Sequence, residues 1–216
     1  MNGIIIESLN IGLPKKEIFY GQEVVTGICK LPVSEPLRLT KMGFEGDGVG
    51  DMKHHGGLDK AVCVYSTDHY PYWEHVLGIR LPVSAFGENL SVRNLLEDNV
   101  CIGDIFVLGT AIVQPTQPRQ PCKTLAARYG KVDMVKLVVE SGRTGFYCRV
   151  LGEGVVDKYS PFVLKERDPR EITIAYANRI YHHDKKNCEG IRKVLALTTL
   201  SESWRCSFQE LSNRCL

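Results

Sequence analysis

The sequence predicts an α+β fold that is mainly β: a β-barrel with helical insertions over residues 1–166, then a three-helix bundle over 167–216. Three observations carry this expectation. Up to about residue 166, short runs rich in Val, Ile, Phe and Tyr recur between Gly, Pro, Asn and Asp, which is the spacing of a barrel or closed sandwich. Two stretches inside that region switch to helical signals. Beyond residue 167, apolar residues recur at helical spacing in three short segments.

Taken in order, candidate strands cover 3–8, 23–30, 37–41, 61–65, 105–108, 111–114, 145–151 and 161–165. Thr67 is placed to cap a helix running through Trp73 and Val76 and ending at Gly78. Residues 122–140 read as one or two helices, broken near Gly130 and stopped by Gly142. Asp168-Pro169-Arg170-Glu171 looks like a helix start, with Asp as N-cap, Pro at the first position and Glu at the third. Ile172, Ala175, Tyr176 and Ile180 then share a face; Ile191, Val194 and Leu195 follow, then Trp204, Phe208 and Leu211. Helices this short bury a face only by packing together and against the barrel.

With 44% hydrophobic and 24% charged residues, the chain has the composition of a folded core. A net charge of +2 is too slight to argue for nucleic acid as a partner. The start, Met1-Asn2-Gly3-Ile4-Ile5-Ile6, lacks the features of a signal peptide, and no run approaches the roughly 20 apolar residues of a membrane span. A cytoplasmic protein is expected. The eight cysteines include no CxxC pair, so most read as small buried hydrophobes in a reducing compartment.

Three polar clusters stand out. In Lys53-His54-His55-Gly56-Gly57-Leu58-Asp59-Lys60, adjacent glycines free backbone N–H groups and two lysines add charge, which suits an anion such as phosphate. By spacing alone, a tight turn whose histidines bond nearby carbonyls is the simpler reading. In Phe86-Gly87-Glu88-Asn89-Leu90, Glu88 and Asn89 either satisfy loop backbone or orient a polar ligand, and the first reading is preferred. In Gln117-Pro118-Arg119-Gln120-Pro121-Cys122-Lys123, two prolines stiffen the approach to Cys122. A thiol at a helix start between Arg119 and Lys123 favours thiolate, the nucleophilic and metal-binding form.

Glu45-Gly46-Asp47, His55-Gly56-Gly57, Asp59-Lys60-Ala61, Phe86-Gly87-Glu88-Asn89-Leu90, Gly103-Asp104 and the run from Gln117 to Cys122 form an ordered series. That series resembles the motifs of MOSC proteins, and the tail beyond 167 resembles the helical extension of the bacterial N-hydroxylaminopurine-resistance (YiiM-type) subgroup. The resemblance implies a barrel around a positive cavity that holds the molybdenum cofactor (molybdopterin), with Cys122 as metal ligand and catalytic centre. Cofactor contacts are then expected from Lys53, His55, Gly56, Gly57, Lys60, Asn89, Arg119 and Arg143. It further implies reduction of small N-hydroxylated substrates, such as N-hydroxylaminopurine to adenine, a detoxifying oxidoreductase reaction. Electrons would come from an external flavoprotein or ferredoxin-like donor. Recombinant protein can lose the cofactor, with phosphate or sulfate in its place, and a homodimer is left open. Two other readings stay open: a carrier of sulfur or cofactor through a Cys122 persulfide or thiolate, and a cysteine hydrolase using His54 or His55.

Overall fold

The structure, a computed structural model, describes residues 3–215. Its strands and helices run in the order β1 (Ile5–Ile11), β2 (Lys15–Phe19), β3 (Gln22–Thr26), β4 (Leu31–Val33), β5 (Leu37–Thr40), β6 (Gly43–Phe44), α1 (Met52–His55) and β7 (Val62–Ser66). Then come α2 (Tyr70–Leu77), β8 (Leu90–Arg93), β9 (Ile105–Leu108), β10 (Ala111–Pro118), α3 (Lys123–Tyr129), α4 (Met134–Ser141), β11 (Phe146–Gly152), β12 (Gly154–Val156) and β13 (Phe162–Glu166). Helices α5 (Ile174–His182), α6 (Cys188–Leu195) and α7 (Glu202–Ser212) complete it. No described helix is long and apolar enough to cross a membrane.

The main sheet has eight strands in the order β13-β9-β10-β11-β7-β8-β1-β4. β13 and β4 remain its edges, so the sheet is open, which corrects the expectation of a closed barrel. Both edges carry features that stop further pairing. Pro32 in β4 lacks an N–H to donate, and β13 ends in exposed Lys165 and Glu166. β5, β6 and β12 form a separate three-stranded sheet, and β2–β3 a free hairpin.

The sheet is covered on both faces. Val62 and Val64 of β7 point into a large core shared with Ile174, Ala177 and Ile180 of α5 and with Trp204 and Phe208 of α7. Tyr65, on the same strand, points the other way, into a second core with Trp73, Phe86, Leu125, Met134 and Val138. Every residue of β7 is therefore buried, the mark of a strand packed on both sides.

Most expected elements lie within a few residues of their places. The 122–140 stretch divides at Gly130, whose φ is +58°, and Gly142 at +69° closes α4. Gly130 also has a packing role, because a Cβ there would lie 2.7 Å from the Tyr20 ring. One helix start is displaced. Asp168 accepts from Arg170 N at 2.9 Å in a local turn, Glu171 takes a φ of +50°, and α5 begins only at Ile174, capped by Thr173. The buried face of α5 is accordingly Ile174, Ala177, Asn178 and Ile180, with Ala175 and Tyr176 only half-buried. A third correction concerns cysteine: Cys188 and Cys215 are joined as a disulfide and are not free buried thiols.

Candidate functional site

A cavity of about 880 Å³ opens where four parts of the chain meet. These are the end of β3 with residues 26–28, the α1 loop, the segment after β10, and the first turns of α7. Volumes of this order suit a cofactor or a drug-sized ligand.

β10 delivers the central residues. Its ladder with β11 reaches Pro118↔Phe146, and Arg119 N adds one more bond to Gly145 O at 3.0 Å. Gln120 and Pro121 then leave the sheet, and Cys122 stands in extended conformation immediately before α3. Burial by itself would push the Cys122 thiol up. A hydrogen bond with the His55 side chain and the Arg119 charge outweigh it, bringing the thiol down to about 6. Cys122 is therefore mostly thiolate at neutral pH. Cys63 also feels Arg119, but full burial pushes its thiol up to about 11.

Arg119 is only 6% exposed, yet it lines the cavity. No described carboxylate forms an ion pair with it; the titratable groups that act on it most are Cys63, Tyr147 and Cys122, ahead of Glu88. Burying a guanidinium is costly unless negative charge lies beside it; the Cys122 thiolate supplies such charge, and the adjoining cavity leaves room for a further anion. Lys30, by contrast, is satisfied internally: its ammonium pairs with Asp47, which also accepts from Gly12 N at 2.9 Å and Asn89 Nδ2 at 2.7 Å.

The short α1 is capped by Asp51, which accepts from Lys53 N and His54 N. Asp51 Oδ2 also holds His54 Nδ1 at 2.7 Å, so His54 is engaged there while His55 meets Cys122. Lys60 Nζ donates to His54 O at 2.7 Å, and burial lowers its pKa against the opposing charges of Asp59 and Asp51.

Lys53, His55, Lys60, Arg119 and Cys122 thus line one cavity. Gly56 and Gly57 form the turn behind it, and the Gly56 N–H is spent on Met52 O instead of facing an anion. Asn89 is buried away from the cavity, accepting from Cys63 N and donating to Asn10 O and Asp47. That network gives it a scaffold role. Arg143 does not line the cavity either: its guanidinium lies 4.1 Å over the Tyr72 ring, a cation–π seat on the outer side of the second core.

Sequence reasoning missed Thr26, Tyr147, Ser203 and Ser207, all of which line the cavity. The two serines come from α7. Asp59 anchors that helix by accepting from Glu202 N at 2.9 Å while pairing with Arg149 at 2.6 Å, and Ser201 N donates to Thr116 O on β10. Serines one helical turn apart look like any solvated face, so only the docking of α7 singles them out.

Comparison with known proteins adds an independent line. The MOSC domain profile matches residues 51–159, and the YiiM-like 3-alpha helix domain profile matches 172–211. The chain is 48% identical over 209 residues to protein YflK of Bacillus subtilis, covering 97% of this chain and 95% of that one. It is 34% identical to protein YiiM of Escherichia coli, covering 88% and 86% respectively. A protein of Gibberella moniliformis named "Reductase" is 34% identical over 164 residues, covering 74% of this chain and 29% of its own length. Among solved structures, YiiM from Geobacillus stearothermophilus superposes with a TM-score of 0.82 at 40% identity, covering 97% and 99% of the two chains.

Proposed function

The chain belongs to the MOSC family and carries the YiiM-like three-helix domain, and from that premise we propose that it is a molybdenum-cofactor-dependent reductase of N-hydroxylated compounds, N-hydroxylaminopurine foremost. The observation that carries the reading is the pairing, in one cavity, of a Cys122 thiol lowered to about 6 with a buried Arg119 that has no carboxylate partner. The Gibberella relative's name supports an oxidoreductase.

The residues present fit such a cofactor. Cys122 offers one soft thiolate to the metal, and Lys53, Lys60 and His55 offer charge and hydrogen bonds to a phosphate group. When bound, the cofactor supplies the two-electron redox chemistry. The overall change takes up two electrons and two protons, breaks the N–O bond and releases the amine and water. The electrons come from an external flavoprotein or ferredoxin-like donor, in the cytosol. The chain's own contribution is to orient and neutralise. Arg119 holds negative charge beside Cys122, His55 holds a proton at the Cys122 Sγ, and Phe86 and Ile28 keep water from the inner wall. A cysteine hydrolase would need a carboxylate orienting His55, and Asp51 binds His54 instead.

The test is metal analysis of protein made in cells that synthesise the cofactor. Near-stoichiometric molybdenum in the wild type, lost in Cys122→Ser along with hydroxylaminopurine turnover, is the expected result. Molybdenum and turnover retained in that variant would remove Cys122 from its role. Molybdenum bound without turnover would favour the carrier reading.

A further inference from the structure

The elements that line the cavity contribute chemically different groups. The α1 region contributes Lys53, His55 and Lys60 to the lining, together with Asp51, whereas α7 contributes only the neutral Ser203 and Ser207, next to Gln117 of β10. There the acceptor atoms fix the direction of two hydrogen bonds. Ser203 Oγ lies 3.0 Å from Gln117 Oε1, an atom that can only accept, so the serine proton is spent there. Ser207 Oγ lies 3.0 Å from the Ser203 carbonyl oxygen, which again can only accept. Ser201 Oγ, at 3.4 Å from Ser203 Oγ, uses at most one Ser203 lone pair. In this arrangement both hydroxyls donate within the protein, which leaves their oxygens available to accept from a ligand in the cavity.

We propose that Ser203 and Ser207 form a hydrogen-bond acceptor wall that selects substrates with an N–H donor edge, namely planar amino-substituted nitrogen heterocycles, over small hydroxylamines and over rings lacking an amino group. The inference rests on the reductase reading for its view of the cavity as a substrate site, and it assigns the YiiM-like module a specificity role. The apolar residues Phe86, Ile28 and Val135 line the same space and suit the flat face of a ring. The wall holds its place because α7 is tied by backbone bonds to Asp59 and Thr116, the latter on the strand that leads to Cys122.

The probe is 2-aminopurine, whose fluorescence reports binding to purified protein whether or not any cofactor is bound. Wild type is expected to bind it and to release it to adenine, with unsubstituted purine about tenfold weaker as a competitor, the effect of one hydrogen bond lost. Ser203→Ala with Ser207→Ala should weaken 2-aminopurine about tenfold or more, and Ser203→Thr, which keeps the hydroxyl, should retain binding. In turnover, the double variant should raise KM for hydroxylaminopurine while leaving kcat within about twofold, a split that a general loss of structure does not give. The kcat/KM ratio of hydroxylaminopurine to hydroxylamine should fall in parallel. Absence of 2-aminopurine binding in the wild type, or equal binding by wild type and double variant, would overturn the inference. Ring binding that depends on the serines, in a protein with neither molybdenum nor turnover, would instead sink the reductase reading and leave the acceptor wall standing.

Discussion

Cys122 and Cys63 both lie close enough to Arg119 to feel its charge, yet their thiols move in opposite directions. The difference is His55 and partial access for Cys122 against full burial for Cys63. Alkylation by iodoacetamide, read on the Cys122 peptide, should rise with pH and reach half its maximal rate near pH 6. His55→Ala should move that midpoint up towards the ordinary thiol range, because the group that stabilises the thiolate is gone. An unchanged midpoint would remove His55 from that role. Asp47 gives a second outcome at this scale. It is the sole ion-pair partner described for Lys30, whose side chain is 4% exposed, so Asp47→Ala strands a buried ammonium and should cost about 3–5 kcal/mol in a urea titration. The central residue was legible: a cysteine between Arg119 and Lys123, delivered by prolines, is local information. Asn89 and Arg143 were not, because their partners Asp47 and Tyr72 are brought to them by the fold.

At the scale of elements, glycines and apolar periodicity carried most of the legible signal. Gly78, Gly130 and Gly142 all take left-handed conformations at helix ends, where a residue without Cβ is favoured. The short strands β2, β4, β6, β8 and β12 escaped notice because their pairing partners, not their sequences, make them strands. In β8, residues 90–93 follow a turn-like Gly87-Glu88-Asn89, yet they sit between β7 and β1 in the sheet. The start of α5 misled in a different way. Asp168-Pro169-Arg170-Glu171 has the composition of an N-terminus, but the Asp168 backbone N–H is taken by Asp104 Oδ1 at 2.9 Å, which fixes it in a turn beside the sheet. Thr173→Ala, which removes the hydroxyl that accepts from Tyr176 N at 3.0 Å, should therefore destabilise by about 1 kcal/mol in chemical denaturation. A negligible effect would mean that tertiary packing alone sets that helix end.

For the whole molecule, the open sheet and its two cores explain why a barrel was the natural expectation. Short β-runs with regular turns look the same whether the last strand returns to the first or, as here, stops at β13 and β4. Closure is a property of long-range pairing, and periodicity does not encode it. The disulfide belongs to the same class of information. Cys188 and Cys215 are 27 residues apart in segments that become neighbours only when α6 and α7 pack. Linking them should stabilise by roughly 3–4 kcal/mol through the unfolded chain. Cys215→Ser should lower the denaturation midpoint while leaving 2-aminopurine affinity unchanged, since neither cysteine lines the cavity. Equal midpoints for wild type and variant, under oxidising conditions, would mean that the bond does not form in solution.

The position of Ser203 and Ser207 along the chain has a further consequence. α7 is translated after every strand of the sheet and after Cys122, and chains begin to fold as they emerge. A chain ending before α7 would therefore keep His55, Arg119 and Cys122 but lack Ser203 and Ser207, so the last helix is the one element whose loss alters the lining of the cavity while every strand that carries the other residues stays in the chain.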